Sequence, residues 1–346
     1  MSDFAQRLLQ WFDRDGRHDL PWQHPRTPYR VWLSEIMLQQ TQVQTVIPYY
    51  LRFLDELPTL PDLAAADTDR VLALWAGLGY YARARNLHKA ARVCVAEHGG
   101  ELPRDFEAMA ALPGIGRSTA GAILAQAHGD RFPILDGNVK RTLARYHGIG
   151  GWPGSSAVEK QMWALAEQHL PDKRLADYTQ AIMDFGATLC TRHDPACVLC
   201  PLQDECVARR EGRVEQLPEA KPGKPLPERR TLMLLVRDAR GQVLLARRPE
   251  TGVWSGMWSL PEAASHDEAR DFLRPHALDF DAAEPLPLIE HTFSHYRLRI
   301  EPMGWRVAEP AATIGVDAGL RWQPLDRLHE VGLPAPVKKL LGSLTP

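Results

Sequence analysis

Four cysteines in one short segment have the spacing that points most directly to chemistry. Successive members are separated by six, two and five residues: Cys190, Cys197, Cys200 and Cys206. Thiols grouped this closely in an intracellular chain indicate a metal site, because disulfides seldom persist in the cytosol. All-thiolate ligation suits either Zn²⁺ or an iron–sulfur cluster, and the single C-x2-C pair favours the cluster. The fifth cysteine, Cys94, has apolar spacing in a predicted helix and is expected in a core.

A glycine-containing turn joins two predicted helices at residues 112–120, Leu-Pro-Gly-Ile-Gly-Arg-Ser-Thr-Ala. Gly114 and Gly116 let the backbone turn tightly and approach another molecule closely. The helix that begins near Ser118 presents free N–H groups, which suit a phosphate. Taken alone, the pattern fits either a hairpin that grips a DNA strand or a plain turn between helices.

Two acidic residues have informative surroundings. Asp136 directly precedes a predicted helix, where N-capping alone would explain it, and the helix N-terminus would help to keep its carboxylate ionised. Glu35 lies among apolar residues in another predicted helix, where an ordinary surface acid is the alternative interpretation. Position alone leaves both alternatives open.

The order of hairpin, aspartate and cysteine loop resembles that in the endonuclease III superfamily of helix-hairpin-helix DNA glycosylases. Residues 20–22, 31–43 and 77–87 are similar, more narrowly, to the adenine DNA glycosylase (MutY) family. This resemblance covers essentially residues 1–210. It implies an all-α helix-hairpin-helix glycosylase domain with a [4Fe–4S] cluster on the loop at 190–206.

The resemblance also implies roles for four residues. Glu35 would be the general acid that protonates adenine at N7, and Asp136 would stabilise the oxocarbenium-like sugar. Asn138 and Ser118 would orient the attacking water and Asp136. Ser118 stands where lyases of the superfamily carry a lysine nucleophile, so the implied enzyme is monofunctional and leaves an abasic site.

Removal of a stacked base requires that it be flipped out of the duplex, and the resemblance implies which residues contact the DNA. These are Gln40 and Tyr80 as a wedge, Thr41 and Leu78 beside the oxidised guanine, Trp22 and Gln180 in the adenine pocket, and Gly114 and Gly116 at the phosphate backbone.

The C-terminal part resembles a Nudix fold, beginning with residues 237–261. The following helical stretch lacks the run of glutamates that would hold Mg²⁺, so we expect recognition rather than hydrolysis. Residues 291–296, His-Thr-Phe-Ser-His-Tyr, are similar to the family's loop for oxidised guanine. Phe293 would stack or wedge there, while Ser294 and His295 would offer polar contacts to the lesion.

The elements that must position these residues divide the chain into three parts. Residues 1–211 have apolar residues at helical spacing between Pro and Gly turns, which predicts an all-α domain. Residues 212–229 are a Pro-rich linker, and residues 230–346 alternate as short strands around one helix, which predicts an α+β domain. The predicted helical segments are 31–50, 68–78, 83–98, 118–128, 139–146 and 267–273, and the predicted strands are 231–236, 242–246, 291–293 and 296–302.

Composition sets weaker bounds. The 346 residues include 41 Lys and Arg against 43 Asp and Glu, so a DNA-binding surface must come from local clusters, such as Arg83, Arg85, Lys89 and Arg92, or from backbone amides. No apolar run approaches the roughly 20 residues of a membrane span, and the charged N-terminus is unlike a secretory signal. We expect a cytoplasmic monomer, associated with the nucleoid when bound to DNA and independent of membranes.

Three functions compete. The first is removal of adenine opposite 8-oxoguanine, and also opposite guanine, in double-stranded DNA during base excision repair. The second is an endonuclease III-like pyrimidine glycosylase-lyase, which would need a lysine at position 118 and no second domain. The third is a non-catalytic iron–sulfur protein that binds DNA damage, which would need neither Glu35 nor Asp136. The sequence does not identify any repair protein that acts with the chain.

Overall fold

The computed structural model describes residues 2–223, 225–249, 251–276, 278–293, 295–307 and 319–344. The chain forms two compact units, one of Met1–Ala65 with Asn86–Gly223 and one of Ala66–Arg85 with Lys224–Pro346. No helix among the described residues combines the length and apolar character needed to cross a membrane.

Helices account for the regular structure before residue 211, as predicted. They are α1 (Asp3–Asp15), α2 (Pro28–Leu38), α3 (Val43–Glu56), α4 (Leu60–Ala65), α5 (Thr68–Trp75), α6 (Ala82–Glu97), α7 (Phe106–Ala111), α8 (Arg117–His128), α9 (Gly137–His147), α10 (Ser156–His169), α11 (Leu175–Thr188) and α12 (Val207–Arg210). Within the first unit, apolar faces of α1, α9, α10 and α11 share one buried core. Burial of these amphipathic faces, rather than helix propensity, stabilises helices of this length.

The predicted helical segment 31–50 is two helices. α2 ends at Leu38 and α3 begins at Val43. Between them Gln40 has a φ of 58°, a left-handed conformation that no residue within an α-helix adopts. The apolar spacing on both sides concealed this break, because it continues at helical intervals across the interruption.

The second unit contains one sheet, which has eight strands among the described residues. Two of these strands form a parallel pair at its centre. The elements are β1 (Glu228–Asp238), β2 (Gln242–Arg247), β3 (Trp258–Ser259), β4 (Glu262–Ala263), α13 (His266–Leu273), β5 (Glu284–Pro285), β6 (Ile289–Thr292), β7 (Arg297–Val307), β8 (Leu320–Pro324) and α14 (Ala335–Gly342). β1 and β7 run parallel, from Glu228 opposite Arg297 to Asp238 opposite Val307. The other strand pairs are antiparallel.

Alternation along β1 supplies a core to each face of this sheet. Met233 and Leu235 join the core that includes residues of α14, while Leu232 and Leu234 join the core that includes residues of α13. Successive side chains of a strand point to opposite faces, so one apolar strand stabilises both layers.

One segment differs from the predicted domain boundaries. Residues 66–85, predicted within the first domain, belong to the second unit. The Tyr81 hydroxyl donates to the Leu333 carbonyl at 3.2 Å, and the Trp258 indole N–H donates to Asp69 at 3.3 Å. The sequence could not reveal these contacts, because their partners are about 190 to 250 residues apart.

Candidate active site and DNA-contacting residues

Glu35 is half-buried on α2. That helix begins at Pro28, after Thr27 caps its N-terminus by accepting from Arg30 N. The Gln126 side-chain amide on α8 donates to Glu35 Oε1 at 3.0 Å. Burial raises the pKa of Glu35 to about 7, the charge of Asp136 adds to this effect, and the Gln126 hydrogen bond opposes it. A carboxyl group with this pKa is well suited to donate a proton at neutral pH.

Asp136 caps the N-terminus of α9. Its Oδ1 accepts from the backbone N–H of Val139 at 2.8 Å, and its Oδ2 accepts from the Asn138 amide at 3.3 Å. Burial raises the pKa of Asp136, against the backbone hydrogen bonds and the positive charge of Arg141. The predicted effect of the helix N-terminus is therefore present, but withdrawal from water outweighs it.

Ser118 reaches the loop that precedes Asp136. Its Oγ accepts from the backbone N–H of Leu135 at 2.9 Å. Ser118 lies in the first turn of α8, so this contact ties the glycine hairpin to the residue next to Asp136. Ser118 could therefore orient Asp136 indirectly, through the backbone of Leu135.

Arg141 is a site residue that sequence reasoning missed. Its Nη2 donates to Asn138 Oδ1 at 2.8 Å and to the Gly186 carbonyl at 2.5 Å, and its Nε donates to the Cys190 carbonyl at 2.8 Å. Gly186 has no room for a side chain, because a Cβ there would lie 2.5 Å from the Asn138 Cβ. One guanidinium thus connects Asn138, α11 and the cysteine segment. Its position three residues after Asn138 was the available signal.

The two residues predicted to line an adenine pocket are both buried. Trp22 is 2% exposed and packs edge-on against Tyr50. Gln180 on α11 is 3% exposed and donates from Nε2 to Asp184 at 2.8 Å. Asp184 and its partner Arg17 were also missed, because nothing in the local sequence pairs two residues that are 167 positions apart.

The hairpin has one packed glycine and one open glycine. Gly114 has a φ of 79°, and a Cβ there would lie 2.7 Å from the Asn86 Cβ. Gly116 begins α8 without a side-chain cap, and nothing lies within 4 Å of a Cβ built on it. The backbone at Gly116 therefore leaves room beside it for another molecule, as a phosphate contact at a helix N-terminus requires.

The predicted wedge residues share an unusual backbone conformation. Gln40 in the first unit and Tyr80 in the second have φ values of 58° and 50°, which non-glycine residues seldom adopt. Tyr80 is 54% exposed. Thr41 is half-buried and donates weakly to the Gln39 carbonyl at 3.4 Å, whereas Leu78 is buried. Exposed side chains on strained backbone are more common at functional positions than elsewhere.

The four clustered cysteines lie between α11 and α12. All are half-buried and none forms a disulfide. Burial raises the pKa of the Cys200 thiol to about 12, and the charges of the other three cysteines add to this effect. The Leu202 backbone N–H donates to Cys200 Sγ at 3.4 Å, and Arg145 donates to Cys190 Sγ at 3.5 Å. No three His, Cys, Asp or Glu side chains in the described ranges are arranged as ligands of a single metal ion.

The acidic residues after β3 are engaged in contacts within their own unit. Glu268 accepts from the Ala264 N–H at 2.7 Å while Ser265 caps α13. Asp267 pairs with Arg270 and Asp271 with Arg274, and Glu262 pairs with Arg248. These carboxylates serve as a helix cap and ion-pair partners.

The predicted lesion loop lies beside an aromatic cluster. Phe293 packs against Tyr296 and Trp254, with ring centroids 4.7 Å and 5.0 Å apart. His295 is exposed and packs on Tyr296 at 4.8 Å. Ser294 lies outside the described residues. Phe293 and His295 place aromatic and imidazole groups together at this loop.

Two family profiles match the chain. Residues 33–168 match the HhH-GPD superfamily of base excision DNA repair proteins, and residues 232–343 match the NUDIX domain. The adenine DNA glycosylase of Buchnera aphidicola from Acyrthosiphon pisum is 37% identical over 338 residues, covering 98% of this chain and 96% of that protein. The human adenine DNA glycosylase is 35% identical over 404 residues, covering 98% and 73% respectively.

Solved structures share the fold of the first unit. A thermostable thymine-DNA glycosylase is 30% identical, with a TM-score of 0.55 over 60% of this chain and 95% of that one. An endonuclease III–DNA complex is 22% identical, with a TM-score of 0.52 over 60% and 94%. The helical fold that carries Glu35 and Asp136 is therefore the endonuclease III fold.

Proposed function

The chain belongs to the adenine DNA glycosylase family, and from this premise we propose that it hydrolyses the glycosidic bond of adenine paired with 8-oxoguanine. It is a hydrolase that removes adenine from DNA in base excision repair. The observation that carries the fuller proposal is the pair of half-buried carboxyl groups, Glu35 and Asp136, with pKa values raised by desolvation.

Glu35 is the proposed general acid. With a pKa near 7, a substantial fraction of its carboxyl groups carries a proton at neutral pH. Transfer of this proton to N7 makes adenine a neutral leaving group and weakens the bond to the sugar. The resulting carboxylate can then accept a proton from the attacking water.

Asp136 is the proposed partner of the positively charged sugar. Its two oxygens are held by Val139 N–H and the Asn138 amide, so the carboxylate has a defined orientation. A fixed negative charge in a site withdrawn from water stabilises an oxocarbenium-like transition state more strongly than it would in solution. Ser118 cannot form a Schiff base, which supports hydrolysis without strand cleavage.

The four clustered cysteines are proposed to hold a [4Fe–4S] cluster. Their chemistry fits such a group, because four neighbouring thiols, with N–H groups directed at two of the sulfurs, form the ligand set of cubane clusters. A cubane separates its thiolates more widely than one ion does. When bound, the cluster would stabilise the loop that receives Arg141 and Arg145. Replacement of Cys200 by Ser should lower the iron content of the purified chain and the thermal stability of the first unit; unchanged iron would contradict the assignment.

Lesion recognition is proposed for the loop at 291–296 and for the residues that the sequence motifs near positions 40 and 80 supply. Phe293 and His295 offer stacking and polar contacts, and the same role is proposed for Ser294. Gln40 and Tyr80 are proposed to fill the space that the flipped adenine leaves, with Thr41 and Leu78 beside the oxidised guanine. Trp22 and Gln180 would surround adenine, and Gly114 and Gly116 would contact the DNA backbone.

A single-turnover assay tests this function. Duplexes with adenine opposite 8-oxoguanine, guanine or thymine, and a thymine glycol duplex, are incubated with excess protein and analysed with and without alkali. We expect adenine release that is fastest opposite 8-oxoguanine, with strand breaks only after alkali. Glu35→Gln should bind the 8-oxoguanine duplex without releasing adenine.

Two outcomes would replace the proposal. Strand cleavage of the thymine glycol duplex without alkali would indicate a pyrimidine glycosylase-lyase. Binding of the lesion duplex by wild-type protein without any base release would indicate a damage-binding protein. Undiminished turnover by the Glu35→Gln variant would remove Glu35 from its role as the acid.

A further inference from the structure

Asp184 is a fully buried carboxylate on α11 that the reaction described above does not use. Arg17 donates to it from the backbone N at 2.9 Å and from Nε at 3.0 Å, and the two side chains form an ion pair at 2.5 Å. Gln180 donates to the same Oδ1 at 2.8 Å. A buried ion pair adds little net stability compared with apolar residues of similar size. Its presence beside a proposed base-contacting residue therefore suggests another use.

The carboxylate determines which way the Gln180 amide faces. Because a carboxylate can only accept hydrogen bonds, Gln180 must turn its NH₂ group toward Asp184. Its Oε1 then faces away from Asp184, and this atom is buried without a hydrogen-bond partner in the part of the chain that the structure describes. A buried acceptor without a donor is unfavourable. Oε1 is thus prepared for a ligand that donates.

The same helix leads from Gln180 to the reaction centre. Gly186 packs directly on Asn138, which donates to Asp136. Six residues of α-helix span about 9 Å, so Gln180 lies about that far along the axis from this contact. A purine whose sugar is held near Asp136, together with one hydrogen bond from its 6-substituent, spans a distance of this order.

We propose that Arg17 and Asp184 are positioning residues that determine which base is removed. They hold Gln180 Oε1 as an acceptor facing the base, which favours the 6-amino group of adenine. The 6-oxo group of hypoxanthine or guanine would oppose one acceptor with another, so these bases are rejected. This inference rests on adenine removal and on the proposed position of Gln180 in the adenine pocket. It adds the side chains that determine which base the pocket accepts.

The test compares two bases that differ at position 6. In Asp184→Asn the side chain can also donate, so the Gln180 amide can reverse and present Nε2. Single-turnover excision of adenine and of hypoxanthine is measured with the full chain, each base opposite 8-oxoguanine and opposite guanine. We expect the ratio of the adenine rate to the hypoxanthine rate to fall about tenfold in the variant.

Two further variants isolate the orientation of the amide. Asp177→Asn is the matched control, since Asp177 lies on α11 and pairs with Arg26 and Arg174; its ratio should equal that of wild type. Arg17→Lys keeps the charge but loses the planar fork, and should lower the ratio in the same direction. Arg17→Lys also provides the test of the inference if Asp184→Asn does not fold.

A double-variant cycle separates positioning from packing. Gln180→Leu removes the acceptor, so adding Asp184→Asn to it should change the ratio no further. A folded Asp184→Asn variant with a ratio within twofold of wild type would overturn the inference, as would additive effects in the double variant. If neither Asp184→Asn nor Arg17→Lys folds, an unchanged ratio in Gln180→Leu would overturn it. Failure of wild type to release adenine opposite either base would instead refute the proposed function.

Discussion

Glu35 and Asp136 are both half-buried, yet their hydrogen-bonding partners differ. Glu35 receives one side-chain amide, from Gln126, whereas Asp136 receives a backbone N–H and the Asn138 amide. More donors favour the charged form, which supports the different tasks proposed for the two groups: Glu35 to hold a proton and Asp136 to carry charge. A cap and a reaction centre are compatible uses of Asp136.

The pH dependence of adenine release follows from this difference. Since Glu35 must be protonated to act and its pKa is about 7, the single-turnover rate should fall above pH 7, approaching tenfold per pH unit. At low pH the rate should fall again as Asp136 becomes protonated. Rates measured from pH 4 to 9 at saturating protein would test this. A rate that keeps rising above pH 8 would contradict the role of Glu35 as the acid.

The same raised pKa predicts a stability cost. The unfolded chain ionises Glu35 near its ordinary value of 4.5 and the folded chain near 7, so stability is lost as the pH rises through this window. Glu35→Gln, which cannot ionise, should therefore be more stable than wild type at pH 8, by up to about 3 kcal/mol, and equally stable at pH 4. Denaturant unfolding at both pH values measures this difference. Equal stabilities at pH 8 would mean that Glu35 is not desolvated in the folded chain.

At the scale of elements, α9 connects the reaction centre to the cysteine loop. Its N-terminus is capped by Asp136, and Arg141 and Arg145 on later turns donate to backbone carbonyls of Cys190 and Thr191. A rigid helix with contacts at both ends keeps Asp136 in register with the loop. The loop therefore contributes to the orientation of Asp136 without touching it.

Close packing of α11 on α9 yields a further prediction. Gly186→Ala would place a Cβ 2.5 Å from the Asn138 Cβ, so α9 or Asn138 must shift. We expect a loss of about 1–3 kcal/mol in unfolding free energy and at least a tenfold slower excision of adenine. Gly342→Ala is the control, because nothing lies within 4 Å of a Cβ there. Wild-type rates from a stable Gly186→Ala variant would show that the contact does not position Asn138.

Much of the site could be predicted, and the omissions share a cause. Cys190, Glu35 and Asp136 lie in motifs whose residues are close in sequence, so their pattern was readable. Asp184 and Arg17 meet only in the folded chain, where burial creates the need for a partner. Local propensity likewise predicted helices and strands, but not the break at Gln40, since tertiary context imposes that conformation.

On the scale of the whole molecule, the second unit is assembled from distant parts of the chain. From their sequence, residues 66–85 are predicted to be a helical part of the first domain. The structure shows that they are partly helical. Their assignment to the second unit depends on contacts with side chains that follow residue 224. Composition and periodicity describe a segment's own structure and contain no information about such partners.

Asp69 should therefore stabilise the second unit. It pairs with Arg247 at 3.3 Å and accepts from the Trp258 indole at 3.3 Å. Asp69→Asn should lower the unfolding free energy of that unit by about 1 kcal/mol. Asp67→Asn should have a smaller effect, since Asp67 makes no side-chain cap hydrogen bond to α5. Tryptophan fluorescence during urea unfolding gives both values, and equal midpoints for the two variants would contradict the assignment.

This discontinuous second unit also imposes an order on events at the ribosome. Residues 66–85 leave the exit tunnel long before Trp258 and Leu333, the partners of Asp69 and Tyr81, have been translated. At about 5–20 residues per second, the interval from Tyr81 to Leu333 is roughly 13 to 50 seconds. Until Leu333 is translated, the nascent chain carries a segment with at least one packing partner that does not yet exist. Slow codons before residue 224, or a chaperone bound at that stage, would act on that segment before any later part of the unit has been translated.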